Sequence, residues 1–239
     1  MANDIEAPQG LALVTGANRG IGKETAAQLG AAGYHVLVGA RDAVAGEQAA
    51  KELRDRGIAA SPLTLSVNDA ESVAAAAHAV RTQFGRLDLL VNNAGIHFDY
   101  WQDATNADLK VVREALEINL LGVWQVTQAM LPLLRVSDRP RIVNVSTEKA
   151  SNALFDGGTP AYRVSKTAMN VLTRLFAAEL AEAGIVVHAA SPGWTATDMG
   201  GEGGRPVADG AASVVHAALH LGPDDGTGGY YQDGKPLPW

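Results

Sequence analysis

Short apolar runs rich in Val, Ile and Leu recur along the chain, separated by longer segments in which apolar residues return every three or four positions. A short apolar run bounded by turn residues fits a strand buried on both faces, and the longer segments fit amphipathic helices that cover it. The runs are Leu11 to Val14, His35 to Val38, Pro62 to Leu65, Leu87 to Val91, Arg141 to Val145, Ile185 to Ala189 and a last one near Tyr230. About seven strands joined by helical crossovers predict an α/β fold, a doubly wound parallel sheet with helices on both faces. No linker or repeat divides the chain, so residues 10–239 read as one domain and residues 1–9 as a loose arm.

Two boundaries of one helix are legible. Thr159 can cap it, with Pro160 at its first position, and Gly184 can close it. Tyr162 and Lys166, four residues apart, then share a face, and Val164, Ala168, Leu172 and Leu175 mark the neighbouring buried stripe.

Composition narrows the function classes. The 239 residues hold no apolar run near the roughly 18 to 20 needed to cross a bilayer, and the start lacks a secretory pattern. A membrane protein is not expected. With no cysteine there is no disulfide, thiolate metal site or cysteine nucleophile, which fits a cytoplasmic protein. The net charge of -7 comes without a basic stripe, so nucleic acid is not an expected partner. The six histidines are scattered and no H-E-x-x-H occurs, so no metal site is expected.

The candidate chemistry begins where Val14 ends a strand and Gly20-Ile21-Gly22 opens a helix. There, backbone N–H groups and the helix dipole can hold a pyrophosphate, as in the Rossmann-type dinucleotide domain. The second strand of such a domain ends beside the adenosine ribose, where a carboxylate selects a free 2′-hydroxyl and an arginine takes a 2′-phosphate. Here it ends Gly39-Ala40-Arg41, with Arg19 in the glycine turn able to approach the same group, and Asp42 following as a competing carboxylate. The arginines favour NADP(H) over NAD(H).

With Asn92-Asn93-Ala94-Gly95, Asn119, Tyr162-x-x-x-Lys166 and Pro192-Gly193 downstream of Thr15 to Gly22, the chain resembles the short-chain dehydrogenase/reductase family along nearly its whole length. Its branch is the single-domain one, and Arg41-Asp42 with the tail Asp233 to Trp239 is similar to carbonyl reductases. The resemblance implies cofactor contacts from Gly16, Asn18, Arg19, Gly20, Ile21 and Gly22, from Arg41, Ser66 and Val67, and from Asn93, Ala94 and Gly95. It adds Tyr162, Lys166, Pro192, Gly193, Thr195 and Thr197, the last on the nicotinamide carboxamide. The implied catalytic set is Asn119, Thr147, Tyr162 and Lys166. Tyr162 protonates a carbonyl oxygen as hydride arrives, Lys166 holds the ribose, and Asn119 anchors a water in a proton relay. On physical grounds, an ammonium beside a phenol lowers the phenol pKa from about 10 toward neutrality, a role open to Lys166.

Two positions depart from the family pattern. Thr147 stands where a serine usually polarises the carbonyl; its methyl narrows the site, and Ser146 next door is the competing donor, expected on the opposite face of the strand. Ser66 stands where an aspartate often bonds the adenine. His97, Phe98, Trp101, Glu148, Phe155, Trp194 and Met199 flank the motifs and are candidates for the substrate pocket.

The resulting expectation is an NADP(H)-dependent reductase of small ketones or aldehydes. The competing readings are an NAD-dependent secondary-alcohol dehydrogenase and a catalytically silent NADP(H)-binding regulator. Excess apolar surface between Leu109 and Leu134 points to a homodimer or homotetramer, since such helices commonly pair between subunits in this family.

Overall fold

The computed structural model describes residues 9–96, 99–221 and 226–239. Most of the expected arm, residues 1–8, lies outside it. The strands are β1 (Gly10–Thr15), β2 (Tyr34–Ala40), β3 (Ala60–Thr64), β4 (Leu89–Asn92), β5 (Arg141–Val145), β6 (Val186–Ala190), β7 (Tyr230–Gln232) and β8 (Lys235–Pro236). They form one sheet in the order β3-β2-β1-β4-β5-β6-β7-β8. Every neighbouring pair through β7 is parallel, and β8 returns antiparallel to β7. This eighth strand was not expected. Its signal is the dipeptide Asp233-Gly234, which takes φ of 52° and 73° in the two-residue hairpin loop, as left-handed hairpin turns require.

The helices are α1 (Gly20–Ala31), α2 (Ala43–Asp55), α3 (Ala70–Phe84), α4 (Leu109–Leu116), α5 (Val123–Leu134), α6 (Pro160–Leu180) and α7 (Val207–Leu219). Strand side chains alternate between two cores. Leu13, Leu37, Leu90, Ile142 and Val187 meet Val80, Met130, Met169 and Phe176 from α3, α5 and α6. Val14, Val38, Val91 and Val143 meet Leu29, Leu53 and Val214 from α1, α2 and α7. Leu13 and Leu90 have no exposed surface, and truncating either to alanine is expected to cost about 2 to 5 kcal/mol. The sheet is thus sealed on both faces, which leaves the carboxyl ends of its strands as the place for chemistry. The strand order reverses between β1 and β4, and a crevice opens at that point.

Two expectations about the helices need correction, and a π-helical turn was not foreseen. A π-helical turn, Glu117–Gly122, joins α4 to α5 in one continuous element, and it carries Asn119. Thr159 does not cap α6 with its side chain and sits at φ 48°. The stripe of Val164, Ala168, Leu172 and Leu175 is not buried as a unit: Leu172 is, but Val164 and Leu175 are 53% and 48% exposed. The buried face of α6 instead includes Ser165, Met169, Thr173 and Phe176, because the helix lies rotated about its axis to put Lys166 under the sheet end.

Candidate active site

The crevice is about 590 Å³, within the size range of small-molecule and cofactor sites. Its first wall is the turn from β1 to α1. Gly16 has φ 63°, and a Cβ there would stand 3.0 Å from the Ala94 backbone. At Gly22 a Cβ would fall 2.5 Å from the Gly16 carbonyl. Only glycine allows so tight a turn. The Asn93 amide braces it by donating to the Thr15 and Gly16 carbonyls at 2.8 and 3.2 Å, while the Thr15 hydroxyl accepts from Asn93 and Ala94 N–H. No side chain caps the N-terminus of α1, and Gly20, Ile21 and Gly22 border the crevice. That uncapped end fits an anionic phosphate group.

Arg19, Arg41, Ser66, Val67 and Asn68 also line the crevice. The Asp42 carboxylate borders the crevice too, but its Oδ1 accepts from Val44 and Ala45 N–H at 2.9 and 3.0 Å and so caps α2. Arg19 donates to Asp198 Oδ2 at 2.5 Å, an exposed pair between the glycine turn and the loop after β6. The Ser66 hydroxyl donates to Asn68 Oδ1 at 3.1 Å.

Another wall is built on α6. Asp99 is 1% exposed, and its carboxylate accepts from Ala161 N at 2.5 Å and Tyr162 N at 3.4 Å. A carboxylate from a distant loop therefore does what Thr159 was expected to do, and it ties the segment after β4 to the turn that presents Tyr162. Tyr162 and Lys166 both border the crevice. The Thr147 side chain lies near enough to the Tyr162 phenol to favour its ionised form. Thr147 Oγ1 accepts from Lys149 N at 3.3 Å, which leaves its own proton free to be donated onward. Ser146 gives its hydroxyl to Asn170 Oδ1 at 2.6 Å.

Burial pushes the Tyr162 phenol up to about 12, opposed by the Thr147 side chain and reinforced by the charge of Glu148. This reverses the expectation that Lys166 would draw it down. The lysine is itself 4% exposed, and its Nζ donates to the Val145 carbonyl at 2.7 Å. Desolvation lowers it to about 8. Both charged forms are penalised by the same dry surroundings, and this outweighs any help that one gives the other.

Asn119 is fully buried. Its Oδ1 accepts from Ile96 N at 2.8 Å, and its Nδ2 donates to the Ile96 carbonyl at 3.0 Å and to Ser165 Oγ at 3.0 Å. The side chain is committed to these protein partners and braces the strand β4 exit against α6. Neither Asn119 nor Thr147 borders the crevice itself, whereas Ser146, expected on the opposite face, does.

The loop after β6 is tied by hydrogen bonds of its own. Gly200 N–H donates to Thr197 Oγ1 at 3.0 Å, and Trp194 Nε1–H donates to the Gly200 carbonyl at 2.9 Å. Pro192, Thr197 and Met199 border the crevice, whereas Gly193 and Thr195 do not. The Thr195 hydroxyl is turned inward to the Pro192 and Gly193 carbonyls, at 3.2 and 3.1 Å. Of the other expected pocket residues, Trp101, Glu148, Phe155 and Trp194 lie outside the crevice walls, in the segments that follow β4, β5 and β6. Glu148 Oε2 accepts from Ser191 Oγ at 2.9 Å. His97 and Phe98 lie outside the described residues.

Residues that no motif marked hold the site together. Arg163, 5% exposed, donates to the Lys149 and Gly158 carbonyls at 3.2 and 3.0 Å, pairs with Asp156 and lies 5.9 Å over the Phe155 ring. It clamps the loop that follows Thr147. Its place beside Tyr162 was the only hint in the sequence. Ile96, Ile118 and Asp198 also border the crevice. Among the described residues no group of three His, Cys, Asp or Glu could hold a metal ion.

The fold and this arrangement define a nucleotide-cofactor oxidoreductase site, and comparison with known proteins agrees. Residues 10–206 match the model of the short chain dehydrogenase family. A short-chain dehydrogenase of Penicillium roqueforti is 36% identical over 243 residues, covering 95% of either chain. Salutaridine reductase of Papaver bracteatum is 30% identical, with 95% of this chain and 94% of the relative covered. Among solved structures, NADPH-bound carbonyl reductase from chicken fatty liver superposes with a TM-score of 0.85 at 28% identity, over 97% of this chain and 100% of the other. The chain belongs to the short-chain dehydrogenase/reductase family of oxidoreductases.

Proposed function

We propose that this protein is an NADP(H)-dependent reductase that converts a ketone or aldehyde to an alcohol, with Tyr162 as proton donor. The observation that carries the reading is the Tyr162 phenol. It is held protonated by burial, with the Thr147 hydroxyl near it, and it lines, together with Lys166, a crevice that Arg19 and Arg41 also line.

The dinucleotide fits the residues present: the uncapped α1 terminus for its pyrophosphate, Arg41 and Arg19 for a 2′-phosphate, and Lys166 for ribose hydroxyls. With Asp42 capping its own helix, the carboxylate that would favour a free 2′-hydroxyl is held off. The NADPH in the similar carbonyl reductase points the same way. When bound, the cofactor supplies hydride to the carbonyl carbon. The chain supplies the rest. Tyr162 gives its phenolic proton to the carbonyl oxygen, and the Thr147 hydroxyl donates to the same oxygen as negative charge develops there. Lys166, in its ammonium form, offsets the phenolate left behind.

The expected partner is therefore a small carbonyl or alcohol compound. No described helix is long and apolar enough to cross a membrane. Leu121, Trp124, Val164, Val171 and Leu175 are each at least 39% exposed on the π turn, α5 and α6. We propose that this face pairs two or four copies of the chain, and light scattering should give a dimer or tetramer at micromolar concentration. The test of the activity is Tyr162→Phe, which should abolish turnover of a carbonyl panel with NADPH and leave NADPH binding within a few-fold of the parent. Retained turnover would refute the assignment.

A further inference from the structure

Tyr230, the first residue of β7, is 2% exposed, and it belongs to no cofactor or catalytic motif. Its hydroxyl donates to the main-chain carbonyl of Thr147. That carbonyl also accepts from Ala150 N at 2.9 Å, so both of its lone pairs are used and the Thr147 peptide is held from two sides. Strand pairing stops at Val145, opposite Ala190. Ser146 N still donates to the Ala190 carbonyl at 2.7 Å, and past that bond no strand pairing holds the Thr147 peptide. Thr147 is β-branched, so its χ1 is restricted and the direction of its hydroxyl follows closely from the backbone.

Tyr230 is itself held. Its ring stacks on Trp239 with centroids 5.1 Å apart and planes at 30°. Leu237 N donates to the Tyr230 carbonyl at 2.8 Å, and the Trp239 carbonyl accepts from Ala153 N at 3.3 Å, in the loop beyond Thr147. Arg174 of α6 lies 5.7 Å over the Trp239 ring. The β7–β8 hairpin therefore reaches from the sheet edge to the segment that faces Tyr162.

Building on the roles proposed for Tyr162 and Thr147, we infer that Tyr230 is a positioning residue: it fixes the Thr147 peptide so that the threonine hydroxyl points at the Tyr162 phenol, and Trp239 locks Tyr230 in that pose. Burial, with the charge of Glu148 nearby, pushes the Tyr230 phenol well above the ordinary tyrosine range. It stays a hydrogen-bond donor at any pH at which the enzyme would work. Misplacing a reacting group by about 1 Å can cost on the order of a hundredfold in rate, so loss of one of two anchors should be visible in kcat.

The test is Tyr230→Phe, which removes the hydroxyl and keeps the stacking ring. Reduction of one good carbonyl substrate with NADPH should show kcat about 10-fold lower, with the NADPH Kd within twofold of the parent. The second readout is the same substitution in a Thr147→Val background, where no hydroxyl remains to be aimed and Tyr230→Phe should change kcat by less than twofold. Trp239→Leu, at the edge of the structure, should lower kcat in the same sense and add little to Tyr230→Phe. An unchanged kcat in Tyr230→Phe overturns the inference, as does a loss undiminished in the Thr147→Val background, which would mark a general structural role. If Tyr162→Phe and Thr147→Val are themselves fully active, the reading of the site has failed, and the inference with it.

Discussion

Lys166 offers the most quantitative test of this site, because one desolvated ammonium should push activity and stability in opposite directions. Its pKa is lowered from 10.5 to about 8 by burial. At pH 7 the group is then about nine-tenths ammonium and at pH 9 about one-tenth. If reduction needs the ammonium, kcat/KM for the carbonyl substrate should be level below pH 7, bend near pH 8, and fall toward tenfold per pH unit above it. Tyr162, at about 12, does not deprotonate in that range. Stability runs the other way. The folded pKa lies below the unfolded one, so between pH 8 and 10 the unfolded chain binds more protons and folding is favoured as pH rises. The gap from 10.5 to about 8 corresponds to about 3 kcal/mol of folding free energy that ionised Lys166 costs at neutral pH. The assays are initial rates from pH 6 to 10 and urea denaturation of the free protein over the same range. Lys166→Met should be slow at every pH and should lose the rise in stability. A parent profile flat through pH 10, or stability that falls between pH 8 and 10, would refute the argument.

Other predictions follow from single contacts. Arg41→Ala should weaken NADPH by on the order of 1.5 to 3 kcal/mol and NADH far less, since only the former carries a 2′-phosphate to meet the guanidinium; equal losses in a fluorescence titration would remove Arg41 from that role. Asp198→Asn should release Arg19 from its exposed ion pair and tighten NADPH modestly, by roughly 0.2 to 1 kcal/mol, with weaker binding as the contrary result. Thr147→Ser should hold or raise the rate and admit bulkier ketones, whereas Thr147→Val should lower kcat/KM by roughly tenfold to a thousandfold. A Val variant with parent kinetics would show that Thr147 does not polarise the carbonyl. Asp99→Ala should remove the cap of α6 and cost about 0.5 to 2 kcal/mol, seen as a lower Tm together with reduced kcat; a Tm at or above that of the parent would contradict the capping role.

The apolar runs and the glycine turn were legible in the sequence because they rest on local physics. A run of Val and Leu with turn residues at either end has few ways to be buried, and the strands at Leu11, Arg141 and Ile185 lie within a residue of their expected bounds. The crevice walls from Gly16 to Gly22 follow equally from chain chemistry, since a turn that tight admits only glycine. Even the missed β8 had a local signal in Asp233-Gly234. The partners of the reacting groups had none. Asp99 reaches Ala161 across 62 residues of chain, Arg19 reaches Asp198 across 179, and Tyr230 reaches Thr147 across 83. Each of these pairs meets because the strand order carries distant loops to one end of the sheet. The pKa values of Tyr162 and Lys166 belong to the same class. The sequence shows a phenol and an amine one helical turn apart, but whether the amine lowers the phenol or burial raises it depends on how much water remains around both, and only the packed sheet, loops and α6 decide that.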